Sequence, residues 1–127
     1  MDKFLAKYQG HTFEDWGSIC SDDFKKFVRD FKSYLKRNLP GDCELIGFKP
    51  NHYDTSGFVK HGSEYIYVSY SWDRYSPVDI IRTDPMMGVL IRYAKDERDY
   101  RGERNNFTSL MEAPDDIVKM FVRRCAA

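Results

Sequence analysis

The sequence predicts an α+β domain: an antiparallel sheet of three to four strands with N-terminal and C-terminal helices packed on one face. Three observations carry this. Apolar residues recur at helical spacing near both ends of the chain, they alternate at strand spacing in between, and short turns join the strand-like runs, so helices and strands are segregated along the sequence. A length of 127 residues, 42% of them apolar and 16% aromatic, is read as a single domain, 1–127, with ample material for one core.

Phe4, Leu5, Tyr8, Phe13, Trp16 and Ile19 are apolar, while Gly10 and Gly17 interrupt any long helix, so a short N-terminal helix or turn is expected to pack on the core. Ser21 suits an N-cap, and Asp22 and Asp23 suit the positive end of a helix dipole. Phe24, Phe27, Val28, Phe31, Tyr34 and Leu35 then form an amphipathic stripe, which Leu39-Pro40-Gly41 stops.

The pattern next becomes extended. Cys43 to Phe48 reads as a first strand and Ser56 to Lys60 as a second. After the turn His61-Gly62-Ser63, Glu64 to Ser71 is the clearest strand, with Tyr65, Tyr67 and Ser69 on one face and Ile66, Val68 and Tyr70 on the other. Trp72 to Met87 reads as a long connection, and Gly88 to Ala94 as a further strand. Lys95 to Asn106 is polar, with Gly102 and Asn105-Asn106 marking a turn. Pro114 at a first helical position, with Asp115 and Asp116, opens a last helix whose buried face is expected to be Ile117, Val118, Phe121 and Val122.

Twenty basic and twenty acidic residues leave no net charge, which excludes binding of nucleic acid or an anionic membrane through bulk charge. No apolar run is long enough to span a membrane, and Met1 to Lys7 has no signal-peptide core, so a cytoplasmic location is expected. Cys20, Cys43 and Cys125 lack zinc-ligand spacing and read as free thiols. No metal and no cofactor is expected.

Catalytic signatures are also missing. His11, His52 and His61 with Asp54, Asp73, Asp79 or Asp84 are the candidates for acid-base or metal chemistry, but none has HExxH or ExxH spacing. There is no nucleophile elbow and no phosphate-cradling glycine loop. No turnover is expected, and a small metal-dependent hydrolase built on His52 or His61 is the third-ranked class.

Three surfaces are candidates for binding. In the segment from Arg92 to Phe107, Arg92, Lys95, Arg98, Arg101 and Arg104 alternate with Asp96, Glu97, Asp99 and Glu103 around Tyr93 and Tyr100. Read structurally, these ions pair across a solvated loop; read functionally, Arg92, Lys95, Arg98, Tyr100, Arg101, Arg104 and Asn105 grip a partner, because Arg forks bind oxyanions and tyrosine gives rigid contact area. Tyr65, Tyr67 and Trp72 could stack unpaired RNA or DNA bases, or lie as a layer beneath a helix; the second is the better expectation of the two. On the first long helix, six cations (Lys25, Lys26, Arg29, Lys32, Lys36, Arg37) face three carboxylates (Asp22, Asp23, Asp30), an excess suited to weak contacts with an acidic surface or nucleic-acid backbone.

Gly57-Phe58-Val59-Lys60 with Tyr65-Ile66-Tyr67, and Val89-Leu90-Ile91-Arg92 leading through Ala94-Lys95 to Asp99-Tyr100, Gly102 and Asn105-Asn106, resemble a pattern of small accessory proteins of phages and mobile elements of Gram-positive bacteria, a group that includes anti-CRISPR proteins. The likeness spans about a third of the chain; Tyr93, Arg101 and Glu103 depart from it, standing where the pattern has Thr, Thr and Gly. The resemblance implies a cytoplasmic protein that acts by stoichiometric binding, as an inhibitor of a host defence nuclease such as the RNA-guided Cas9. Balanced charge fits surface binding to such an enzyme better than DNA mimicry, which needs an acidic excess. The alternative from the residues alone is a single-stranded RNA or DNA binder.

Overall fold

The computed structural model describes residues 2–8, 22–50, 54–71, 88–101 and 104–126. They form helix α1 (Lys3–Tyr8), helix α2 (Asp22–Asn38), strands β1 (Glu44–Pro50), β2 (Asp54–His61), β3 (Glu64–Ser71), β4 (Val89–Ala94) and β5 (Asn106–Thr108), and helix α3 (Ala113–Ala126). The strands make one antiparallel sheet in the order β1-β2-β3-β4-β5. The fold is therefore the α+β arrangement expected, with five strands rather than three or four. The additional strand, Asn106–Thr108, is three residues long and opens with the asparagine of an apparent turn, so it has no alternation of its own; it exists through pairing with β4.

The registers divide the sheet into two faces. Val59, Ile66, Val68, Tyr70, Val89 and Ile91 share the face that the helices cover, and all are buried. On it α2 buries Phe24, Phe27, Val28, Phe31, Tyr34 and Leu35, the whole expected stripe. The rings of Phe27 and Tyr70 lie 4.5 Å apart between centroids, which ties α2 to the middle of the sheet. Each such ring removes about 2 to 3 kcal/mol worth of apolar surface from water.

Helix α1 packs Phe4 and Tyr8 on this aromatic layer, with Phe4 stacked 4.6 Å from Tyr34 and Tyr8 edge-on to Phe27 at 4.9 Å. Carboxylates tie both ends of it to α2. Asp2 caps α1 by accepting from the Phe4 N–H at 2.8 Å and also receives Arg37 Nη2 at 2.8 Å. Asp30 on α2 accepts from Lys7 Nζ (2.8 Å) and the Tyr8 hydroxyl (2.7 Å). The Phe4 N–H and Arg37 hold the Asp2 carboxyl down at about 2, below the ordinary 3.8. Burial alone would raise Asp30, but its bonds from Lys7 and Tyr8 outweigh that and lower it.

A carboxyl depressed in the folded state stabilises above its unfolded value and loses that contribution as pH falls through the folded one. The melting temperature is therefore expected to hold above pH of about 4 and to fall as pH approaches about 2. A thermal melt series with Asp2→Asn checks this: the variant should melt lower at neutral pH and show a shallower acid decline, and an unchanged decline would assign the acid sensitivity elsewhere.

Helix α3 closes the other end of the covered face. Ser109 caps its entry by accepting the Glu112 N–H on Oγ at 3.1 Å, and the Thr108 hydroxyl reaches Asp116 at 2.6 Å. Ile117 and Phe121 are buried and Val118 half-buried, as expected, but Val122 is 62% exposed and Met120 is buried instead. The buried row runs 113, 117, 120, 121, with Val122 off it; one turn further on, exposed Arg124 lays its guanidinium 4.8 Å from the Tyr93 ring and 3.4 Å from Glu64. Between the helices, the buried Tyr34 hydroxyl donates to Leu110 O at 2.6 Å, and burial pushes its phenol up to about 12.

The β1–β2 pair contains a bulge. Gly47 faces Gly57 and Lys49 faces Ser56, so Phe48 is the extra residue, and Gly47 (φ 88°) and Phe48 (φ 64°) both adopt left-handed backbone. For Phe48 this conformation costs on the order of 1 kcal/mol. What offsets it is the ring, which turns into the core edge-on to Phe31 at 6.0 Å and sits over Gly57.

Candidate functional site

The far face of the sheet, away from the helices, carries Phe58, Lys60, Tyr65, Tyr67, Leu90, Arg92 and Phe107. The tyrosine ladder thus does not lie beneath a helix, contrary to the better of the two expectations for it. Both helices that need a sheet face find it on the Ile66, Val68 and Tyr70 side. Tyr65 and Tyr67 are half-buried, with Lys60 Nζ 5.6 Å from the Tyr65 ring. Trp72, with Tyr53, Tyr75, His11 and His52, lies outside the described residues.

After β4 the chain folds back as a turn built by two aspartates. Asp96 Oδ1 accepts the Arg98 N–H at 2.8 Å, and Tyr100 N–H reaches Arg98 O at 3.0 Å. Asp99 bridges the mouth of the turn, accepting Lys95 N–H at 2.9 Å on one oxygen and Arg101 N–H at 3.2 Å on the other. The Lys95 N–H leads in lowering its pKa; partial burial opposes, and the Arg101 N–H and the Arg92 and Lys95 charges add to the lowering. Asx-type bonds of this kind define a turn without help from the rest of the fold.

Arg92 anchors the turn to the sheet. It was expected to grip a partner, but it is 2% exposed: its place on β4, opposite Tyr67, directs it onto the far face beneath the turn. Its guanidinium lies 4.3 Å from the Tyr67 ring centroid, and Nη2 donates to Asp99 O at 2.7 Å. Arg92 is therefore covered by the turn and holds its backbone, while the other cations of the segment face solvent. Above it, Tyr100 stands edge-on to Phe58 (5.3 Å) and Tyr67 (6.0 Å) while leaving 62% of its surface exposed.

Lys95, Arg98, Arg101, Arg104 and Asn105 are exposed. Of the expected exchange of ion pairs along the segment, Arg92 and Asp99 meet at 4.0 Å, while Asp96 and Asp99 also accept from backbone N–H groups; among the described residues Lys95, Arg98, Arg101 and Arg104 have no ion-pair partner. Phe107, also 62% exposed, projects from β5 on the same face. Sequence reasoning missed it because a single Phe in a polar stretch carries no periodic signal.

At the end of β2, His61 Nε2 lies 2.8 Å from Asp42 Oδ2, with its ring against Phe121. Asp42 was not among the acids expected to join a histidine, since only the β1–β2 register brings the turn after α2 beside His61. Burial, then the Asp42 charge, pushes the neighbouring Cys43 thiol up, away from the reactive thiolate. No group of three or more metal-binding side chains occurs among the described residues, and no helix among them is long and apolar enough to cross a membrane. Compared with models of protein families, with curated proteins and with solved structures, the chain matches none.

Proposed function

We propose that this chain is a non-enzymatic binding protein that acts stoichiometrically on a protein partner through the turn 95–101 and the adjoining far face of the sheet. The observation that carries the reading is Tyr100: a largely exposed aromatic held on a fixed turn, flanked in sequence by four cations that have no ion-pair partner among the described residues. Rigid tyrosines and arginine forks are the residue types that dominate interface energetics, and a turn pre-organised by Asp96, Asp99 and Arg92 loses little entropy on docking. The partner class is a host defence nuclease of the RNA-guided type, as the resemblance implies, with the unpaired cations meeting an acidic patch.

Replacing Arg98, Tyr100, Arg101 and Arg104 together by Ala should lower the melting temperature only by what the Tyr100 packing on Phe58 and Tyr67 contributes, because the other three side chains have no hydrogen-bond, ion-pair or ring partner among the described residues. The same variant should lose inhibition of an RNA-guided nuclease in a cleavage assay run at equal molar ratio, by a hundredfold or more in the concentration required. Full inhibition by the variant, or none by the parent protein, would overturn the reading.

A second reading is favoured by one observation, the placement of Tyr65 and Tyr67 on the face away from the helices. It makes the chain a single-stranded RNA or DNA binder using Tyr65, Tyr67 and Trp72 with the same arginines. Against it, the Tyr67 ring is already occupied by Arg92 and Tyr100. Anisotropy titration of a labelled oligonucleotide separates the two: this reading requires affinity that falls steeply with salt and is lost in Tyr65→Ala.

A further inference from the structure

A second surface is independent of the turn. Along α2, Lys25, Arg29, Lys32 and Lys36 follow one another at intervals of four, three and four residues, so they form one row on the helix. That row lines a continuous groove against β1. One part, about 540 Å³, lies among Lys25, Val28, Arg29, Lys32 and the strand residues Phe48 and Lys49; the next, about 770 Å³, shares Arg29 and Lys32 and runs on past Lys36 to Glu44 and Leu45. Lys25 is 4.0 Å from Asp22, but Arg29, Lys32, Lys36 and Lys49 have no ion-pair partner among the described residues.

The other wall is the edge of the sheet. Among the described strands β1 pairs only with β2, so its outer main-chain groups have no strand partner. The bulge at Phe48 and the following Lys49 and Pro50 break up one end of this edge and leave Glu44, Leu45 and Ile46 as its regular stretch.

We propose that this groove docks an extended acidic polypeptide segment, which adds to the Glu44–Ile46 edge by main-chain hydrogen bonds and sets alternate carboxylates against Arg29, Lys32 and Lys36. Strand addition supplies affinity through the backbone, and the cation row supplies the choice of side chain. From Asp22 to Lys36 the helix rises about 21 Å, the length of about six residues of extended chain. A nucleic-acid backbone would use the cations alone and leave the strand edge unpaired.

The probe is a fluorescein-labelled octapeptide of alternating Glu and Val, with its Lys-Val counterpart and a twenty-base-pair DNA duplex as comparisons. The Glu-Val peptide is expected to bind in anisotropy titrations, to slow amide exchange at Leu45, and to lose at least tenfold in affinity in the double variant Arg29→Glu, Lys36→Glu. Lys119→Glu on exposed α3 should leave the affinity unchanged. No binding at low salt, equal binding of the Lys-Val peptide, indifference to the double reversal, or tighter binding of the duplex would each overturn the proposal, the last in favour of nucleic acid. The Ala variant of the 95–101 turn should still bind the peptide, which keeps this result separate from the fate of the turn.

Discussion

Gly57→Ala should cost about 3 kcal/mol or more, the largest loss expected from adding one methyl group to this protein. A Cβ at Gly57 would run into the main-chain oxygen of Ile46 and lie 2.5 Å and 2.7 Å from Cδ2 and Cε2 of the Phe48 ring. Neither obstacle yields cheaply. Ile46 O belongs to the paired backbone of β1, and Phe48 is held in left-handed backbone with its ring between Gly57 and Phe31. The other glycines provide the scale. Gly47→Ala meets contacts of 3.3 Å at φ 88° and should cost about 1 kcal/mol from backbone strain, whereas Gly41→Ala meets nothing within 4 Å and should be close to neutral. Urea denaturation of the three variants checks the order. If Gly57→Ala proved no worse than Gly47→Ala, the packing of Phe48 over Gly57 would be wrong.

Arg92→Met is expected to destabilise by about 2 kcal/mol and to weaken binding through the turn as well. The substitution keeps an apolar stem on the far face but removes the donor to Asp99 O and the cation over Tyr67. Asp99 still accepts the Lys95 and Arg101 N–H groups, so the turn remains closed on itself while losing its attachment to the sheet. Amide exchange should therefore accelerate across 95–101 and stay slow in β3 and β4. Partner affinity should fall at least tenfold although Arg92 is covered by the turn. Arg92→Lys should restore the charge but not the fork, and so recover only part of either property. Unaltered exchange in the turn would show that Asp96 and Asp99 suffice to hold it.

Much of this architecture was legible because apolar spacing reports burial directly. The α2 stripe from Phe24 to Leu35 is buried throughout, and Glu64–Ser71 has the bounds and the two-faced alternation its residues suggest. The failures are equally physical. Val122 is exposed because the buried stripe of α3 runs through Ala113, Ile117, Met120 and Phe121, and position 122 lies off it. Strand β5 is too short for periodicity to register. At the candidate site, the sequence shows that arginines and acids alternate, yet it cannot show that Asp96 and Asp99 turn inward to the backbone. That choice leaves Lys95, Arg98, Arg101 and Arg104 without a carboxylate at ion-pair distance among the described residues, and the turn takes Arg92 out of the exposed set. The cation row of α2 was visible as composition, but the groove beside it exists only once β1 lies along the helix.

The strand order has a consequence for how the chain reaches this state. Among the described residues every strand pairs with its neighbour in sequence, so β1 to β5 form a meander without crossovers. Hairpins can form in succession outward from the His61–Glu64 turn, each closing before the next is needed, and closure of the longer connection between β3 and β4 adds entropy cost only logarithmically with its length. Low sequence separation between partners favours rapid folding, with the aromatic layer of α1 and α2 condensing on a sheet that local contacts have already drawn together.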